Sequence, residues 1–139
     1  MQQQKSLVNI LVIEENRTLY EELTRELDSL LPSHANVVCC ADLARGAIDI
    51  KEMGFFHIVV MGTEPYHTDQ MVKRRLDIIE QASRRKIKLV LFVAKTPDDP
   101  ITLGVNHIVQ KPSIHNLALA ISPLVECFDE ETLKGWMTS

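Results

Sequence analysis

Short apolar runs alternate with amphipathic segments along the whole chain, and no other feature limits the available folds so strongly. VNILVI (8–13), NVVCCA (36–41), FHIVVM (56–61) and KLVLFVA (88–94) are brief, rich in β-branched residues and nearly continuous in apolar character. Runs of that kind suit strands covered on both faces of a sheet. HIVQ (107–110) is a shorter fifth candidate. Between the runs, leucines and other apolar residues recur at helical spacing. Leu19, Leu23, Leu27, Leu30 and Leu31 define a first helix, with Asn16 as its cap and Pro32 at its close. Asp42 can cap a second helix, through about Met53, that turns Leu43, Ala47 and Ile50 inward and stops at Gly54. A third, from about Thr68 to Arg85, carries Met71, Val72, Leu76, Ile79 and Ala82 on one side. Its other side and C-terminal end hold Lys73, Arg74, Arg75, Arg84, Arg85 and Lys86. Ser113 caps a last helix bearing Leu117, Ala120, Ile121 and Leu124.

Strands alternating with helices imply right-handed βαβ crossovers and a parallel sheet. The expected fold class is a five-stranded, doubly wound α/β domain. The chain has 139 residues, enough for one domain with a real core. Hydrophobic residues make up 45% and charged residues 24%, a globular rather than a disordered balance. The formal net charge of -4 argues against a dedicated nucleic-acid binder, and the basic stripe on the third helix reads as a solvated face. No apolar run is long enough to span a membrane, and MQQQKS lacks a secretory apolar segment, so a cytoplasmic location is expected. Cys39 and Cys40 are adjacent, which puts them on opposite faces of a strand and suits small buried hydrophobes better than a disulfide or zinc framework.

In open parallel sheets, ligands bind at the carboxyl ends of the strands. The residues expected there are Glu14 and Glu15 after the first strand, Gly62 after the third, Val93 and Ala94 after the fourth, and Lys111 with Pro112 after the fifth. Two adjacent acids facing a lysine suit a hard cation and a phosphoryl oxygen. They equally suit an ion pair between Lys111 and one of the glutamates, and with no third ligand in view that reading carries more weight.

At these positions the sequence resembles a known family. ILVIEEN is similar to the acidic opening motif of response-regulator receiver (CheY-like) domains, FFHIVVMG to the strand that carries their phosphoacceptor, and LGVNHIVQKPS to their lysine–proline motif. The resemblance runs over roughly residues 7–127. It implies a flavodoxin-like strand order, 2-1-3-4-5. It also implies chemistry in which a histidine kinase transfers a phosphoryl group to an aspartate held beside Mg²⁺. That aspartate must be a carboxylate, being both nucleophile and metal ligand. Its place is taken here by Gly62. The hydroxyl residue expected after the fourth strand is Val93, and the switch aromatic is Ile108. Lys111 and the acidic pair remain, the pair as glutamates.

The expectation is therefore a degenerate, or pseudo-, receiver that is not an enzyme. It has no required cofactor, and Glu14 and Glu15 are only weak candidates for a metal. Gly62 leaves space in which Lys111 can reach Glu14 or Glu15 and hold the site in one state. Thr63, Glu64 and Asp69 lie near the vacated position and read as solvated loop residues. The fourth helix of the family falls on AKTPDDPITLGVNH, where Pro97, Pro100 and Gly104 predict a loop or a single turn. Pro123 should kink or restart the last helix, setting a receiver-like domain (1–127) apart from a tail (128–139) with its own short helix and Trp136. That tryptophan suits a satellite cluster or a binding contact equally. The expected function is a phosphorylation-independent protein–protein interaction module in bacterial two-component-type signalling or transcription regulation. The partners in view are a histidine kinase, an output domain, another regulator or a second copy of the chain. The alternatives are a receiver phosphorylated at a non-standard residue and a flavodoxin-like small-ligand or nucleotide-binding protein, against which stands the absence of glycine from EENRTL.

Overall fold

The computed structural model describes residues 7–53, 56–63, 69–94 and 105–138, with the backbone alone at 53, 69, 72 and 129–138. The described elements are β1 (Val8–Ile13), α1 (Arg17–Leu30), β2 (Ala35–Cys40), α2 (Leu43–Met53), β3 (Ile58–Thr63), α3 (Asp69–Arg84), β4 (Lys88–Val93), β5 (His107–Gln110) and α4 (Ile114–Thr138). The strands form one parallel sheet in the order β2-β1-β3-β4-β5, which is the doubly wound, flavodoxin-like arrangement expected. No helix between β4 and β5 occurs among the described residues. The predicted loop or turn, at 95–104, falls outside them.

Period-two alternation along each strand splits the core into two layers. Ile10, Val12, Ile58, Val60, Val90 and Phe92 face α1 and α4, packing with Leu19, Leu23, Leu27, Leu117 and Ile121. Leu11, Ile13, Val59, Met61, Leu89 and Leu91 face α2 and α3, packing with Leu43, Ala47, Ile50 and Ile78. The adjacent cysteines follow the same rule: Cys39 packs against the first layer and Cys40 belongs to the second. Both are free thiols. Burial pushes both upward from the usual thiol range, with hydrogen bonding of the Thr24 side chain at Cys39 and of the Asp42 backbone at Cys40 pulling partly back. Neither is activated as a nucleophile.

The helix starts obey their caps. Asn16 Oδ1 accepts from the Leu19 amide at 3.2 Å, and Ser113 Oγ accepts from the Asn116 amide at 3.1 Å. Asp42 Oδ1 accepts from the amides of Ala44 and Arg45, at 2.6 and 3.4 Å. Asp42→Ala is therefore expected to lower stability by about 1 kcal/mol, read as a reduced midpoint in urea unfolding with an unchanged slope.

Four expectations need correction. β3 runs to Thr63, so Gly62 lies inside the strand and pairs with Phe92 of β4 rather than following the strand end. Neither glycine nor threonine extends the apolar run, so pattern alone stopped the strand too early. On α3, Leu76 is 49% exposed, whereas Ile78 and Arg75 are buried. The inward stripe passes through 71, 75, 78 and 82 at helical spacing, and Arg75 sits on it despite its charge. On α1, Leu30 is 44% exposed while Leu31, just beyond the helix, turns into the core. Finally, Pro123 lies inside a continuous α4 of 25 residues. Its missing amide costs one helical hydrogen bond, yet the helix does not restart there, and Ile121 and Val125 on either side are fully buried. The boundary expected at 127 thus falls within one helix. The side chain of Trp136 lies outside the described ones.

Candidate functional site

β1 delivers Glu14 to the carboxyl edge of the sheet. Its amide donates to the Cys40 carbonyl at 2.9 Å, extending the ladder one residue past Ile13. Successive side chains at a strand end diverge, and the two glutamates separate accordingly. Glu14 is 1% exposed, whereas Glu15 is on the surface. The acidic pair expected from EE is thus a single inward carboxylate.

Lys111 follows β5, where its amide donates to the Val93 carbonyl at 2.7 Å. Its ammonium lies 2.8 Å from Glu14 Oε2, with the two side chains 7% and 1% exposed. The same oxygen accepts from the Asn16 amide at 3.0 Å. The ammonium also stands 5.9 Å from the centroid of the Phe92 ring, a cation–π distance. Removing two charges from water costs several kcal/mol per ion, so such a pair persists only with good geometry and extra hydrogen bonds. Asn16 and Phe92 supply that support. The sequence marked Asn16 only as a helix cap and did not mark Phe92 at all.

Gly62 explains how the glutamate fits. Ile13 pairs with Met61, which sets Glu14 beside Gly62 on the neighbouring strand. A Cβ at Gly62 would collide with Glu14 Oε1 and lie 2.8 Å from its Cδ and 3.0 Å from the Ile13 carbonyl oxygen. The space that a side chain at 62 would occupy is thus filled from the next strand by the glutamate carboxyl. The extra methylene of glutamate over aspartate provides that reach.

Val93 and Ile108 complete the edge. Val93 is 1% exposed and packs into the layer beneath α2 and α3. Its side chain presents no hydrogen-bonding group. Ile108 on β5 is 41% exposed. An open cleft of about 450 Å³ adjoins the site, lined by Asn16, Thr18, Leu19, Glu22, Ala94, Lys111 and Pro112. Among the described residues no group of three His, Cys, Asp or Glu side chains could hold a metal ion. Mg²⁺ is held by one or two carboxylates with waters in near-octahedral array, and the described side chains at this edge turn inward only the carboxylate that is paired to Lys111. Glu14 already carries an ammonium and an amide, Glu15 faces solvent, and Gly62 brings no ligand. No helix among the described residues is long and apolar enough to cross a membrane.

No protein-family model and no curated protein matches the sequence. Solved structures do. The N-terminal domain of a response regulator/sensory box/GGDEF three-domain protein from Carboxydothermus hydrogenoformans superposes with a TM-score of 0.65 at 15% identity, over 89% of this chain and 98% of that one. A CheY-like response regulator receiver domain protein from Methanospirillum hungatei gives 0.63 at 12% identity, over 88% and 97%. A chain from the complex of the phosphorylated P1 domain of CheA3 with CheY6 from R. sphaeroides gives 0.60 at 14%, over 86% and 97%. At these identities the likeness is one of architecture. The chain has the fold of response-regulator receiver domains, and within its third strand Gly62 lies against the carboxyl of Glu14 from the neighbouring strand.

Proposed function

We propose that this chain is a pseudo-receiver: a non-catalytic module that binds a protein partner without passing through an aspartyl phosphate. The observation that carries the reading is the closed set Gly62–Glu14–Lys111. In a receiver, an aspartate at 62 would be nucleophile and metal ligand, and the lysine would hold a phosphoryl oxygen. Here the lysine is paired to Glu14 at 2.8 Å, and the glutamate fills the position of the missing side chain. The ion pair takes the role that a phosphoryl–lysine contact plays elsewhere, and it is permanent. Val93 and Ile108, in place of a hydroxyl and an aromatic switch, favour the same reading.

The setting that fits is two-component-type signalling or transcription regulation, with a histidine kinase, an output domain or another regulator as partner. The R. sphaeroides complex, in which the phosphorylated P1 domain of CheA3 and CheY6 are bound together, supports a protein partner for this fold. No metal or cofactor is needed for such a role.

The test is an amide NMR spectrum with and without Mg²⁺ plus beryllofluoride, which mimics an aspartyl phosphate. The expected result is no localised shift at Glu15, Gly62 or Lys111. Saturable shifts there mean that the pocket still takes metal and anion, and the reading fails. Incubation with a small-molecule phosphodonor followed by mass spectrometry addresses phosphorylation at another residue: an unmodified chain is expected.

A further inference from the structure

A second set of contacts lies at the opposite end of the sheet. His57 immediately precedes β3, and its backbone is fixed on both sides. Its amide donates to the Asn9 carbonyl at 2.9 Å, and its carbonyl accepts from the Lys88 amide at 3.0 Å. The imidazole turns back to β1, where Nδ1 accepts from the Asn9 amide at 3.0 Å. An accepting Nδ1 carries no proton, so this contact requires the neutral ring with its hydrogen on Nε2. The same ring stands edge-to-face with Phe128 of α4, with centroids 5.2 Å apart and planes at 65°.

Phe128 packs against the core layer shared by α1 and α4. Upstream of Pro123, the helix is held by Ile114, Leu117, Ala118 and Ile121, all buried. Downstream, Leu124, Val125 and Phe128 supply the apolar contacts among the described side chains. Pro123 has no amide to offer the Leu119 carbonyl, so the two halves of α4 are joined by one hydrogen bond fewer than a regular helix.

We propose that His57 is a pH-sensitive anchor for the half of α4 beyond Pro123, holding it through Phe128 when the imidazole is neutral and releasing it when the imidazole is protonated. A proton on Nδ1 would aim an N–H at the Asn9 N–H, turning a hydrogen bond into an opposition of two donors. It would also place a cation at the edge of the apolar layer, with the net loss of at least one hydrogen bond. The described side chains of the neighbouring elements bring few compensating charges. Lys88, half-buried on β4, opposes a second cation. His34, at the start of β2, is buried, and Asn9 and Asn36 are neutral and bonded to each other at 2.9 Å. On α4, Glu126 and Cys127 precede Phe128 and are exposed to water, which screens them.

Burial lowers the His57 pKa from its ordinary 6.5. The neutral form is the one favoured by folding, so the anchor is fully present above 6.5 and is lost as pH falls through the lowered value. This inference does not depend on the reading of the Gly62 edge.

The experiment is amide hydrogen exchange on the full chain at about pH 7.5 and about pH 5, corrected for the intrinsic pH dependence of exchange, with the imidazole titrations followed by NMR. Protection of the helix beyond Pro123 is expected to fall roughly fivefold or more at the lower pH, the effect of one lost net hydrogen bond, with the upstream half changing less. The midpoint should coincide with the titration of His57 and not with that of His34, His107 or His115. His57→Gln, which cannot titrate, should abolish the difference. Equal protection at both pH values, a midpoint matching another histidine, or an undiminished pH effect in His57→Gln overturns the proposal.

Discussion

Gly62→Asp is expected to destabilise the domain by about 3–5 kcal/mol, and it will not create a phosphoacceptor. The new Cβ meets Glu14 Oε1 and Cδ and the Ile13 carbonyl oxygen at less than or near 3 Å. Backbone cannot yield there, and the glutamate is held by Lys111 and by the Asn16 amide. The aspartate would also bring a second carboxylate against a buried one, and like charges at that range oppose joint ionisation. Gly62→Ala separates the two effects. It adds only the steric part and should cost about 1–3 kcal/mol, the usual range for overpacking. Both are measured by urea unfolding, with the beryllofluoride titration repeated on Gly62→Asp. A Gly62→Asp variant as stable as the parent, with a saturable Mg²⁺ response, would show that Glu14 does not occupy the vacated position. Pairing Gly62→Asp with Glu14→Asp, which shortens the intruding side chain by one methylene, should recover part of the loss.

Lys111→Met carries the second large effect. It removes the ammonium from beside the Glu14 carboxylate, which is 1% exposed and also accepts from the Asn16 amide. Breaking a buried pair in this way costs about 3–5 kcal/mol, because the stranded charge has no water to return to. The pH dependence has a definite sign. In Lys111→Met, protonating Glu14 removes the stranded charge, so folding favours the protonated carboxyl. The deficit relative to the parent is largest at neutral pH and shrinks as pH falls into the carboxylate range. Glu14→Gln combined with Lys111→Met should be much less destabilised than Lys111→Met alone, since a neutral amide oxygen still accepts from Asn16 and no bare charge remains. The pair of singles and the double form a cycle, and a coupling above about 1 kcal/mol is expected. A loss under about 1 kcal/mol for Lys111→Met would mean that water reaches the pair, as it does at exposed ion pairs, and that the pocket is open.

Much of the architecture was legible along the chain, for reasons that act over a few residues. The apolar runs at 8–13 and 88–94 read as doubly covered strands because both faces need apolar residues. Asn16, Asp42 and Ser113 announced helix starts because a short polar side chain can reach the amides of its own first turn. The alternation of elements then left few topologies, and the order β2-β1-β3-β4-β5 is among them. Faces were less legible. Arg75 is buried and Leu76 exposed because helix phase, set by packing against α2 and β4, outranks residue type. Pro123 stays in α4 because buried neighbours on both sides outweigh one missing hydrogen bond.

The edge residues Glu14, Gly62 and Lys111 could be named from their places after the strands, and a pair between Lys111 and one of the glutamates expected, but not which glutamate or that its carboxyl fills the space at Gly62. Glu14 and Lys111 are 97 positions apart, and only strand pairing brings them to 2.8 Å. Which of the two adjacent glutamates turns inward is decided by β1 continuing one residue into its ladder with Cys40. That Gly62 serves to admit Glu14, rather than simply to lack a side chain, depends on the register Ile13–Met61. His57 gave no signal at all, since its acceptor role exists only where β1, β3 and α4 meet. Local chemistry along the chain therefore specified the elements and their ends. Contacts between residues far apart in sequence specified which charges were buried together, because burial is a property of the assembled layers and of no single stretch.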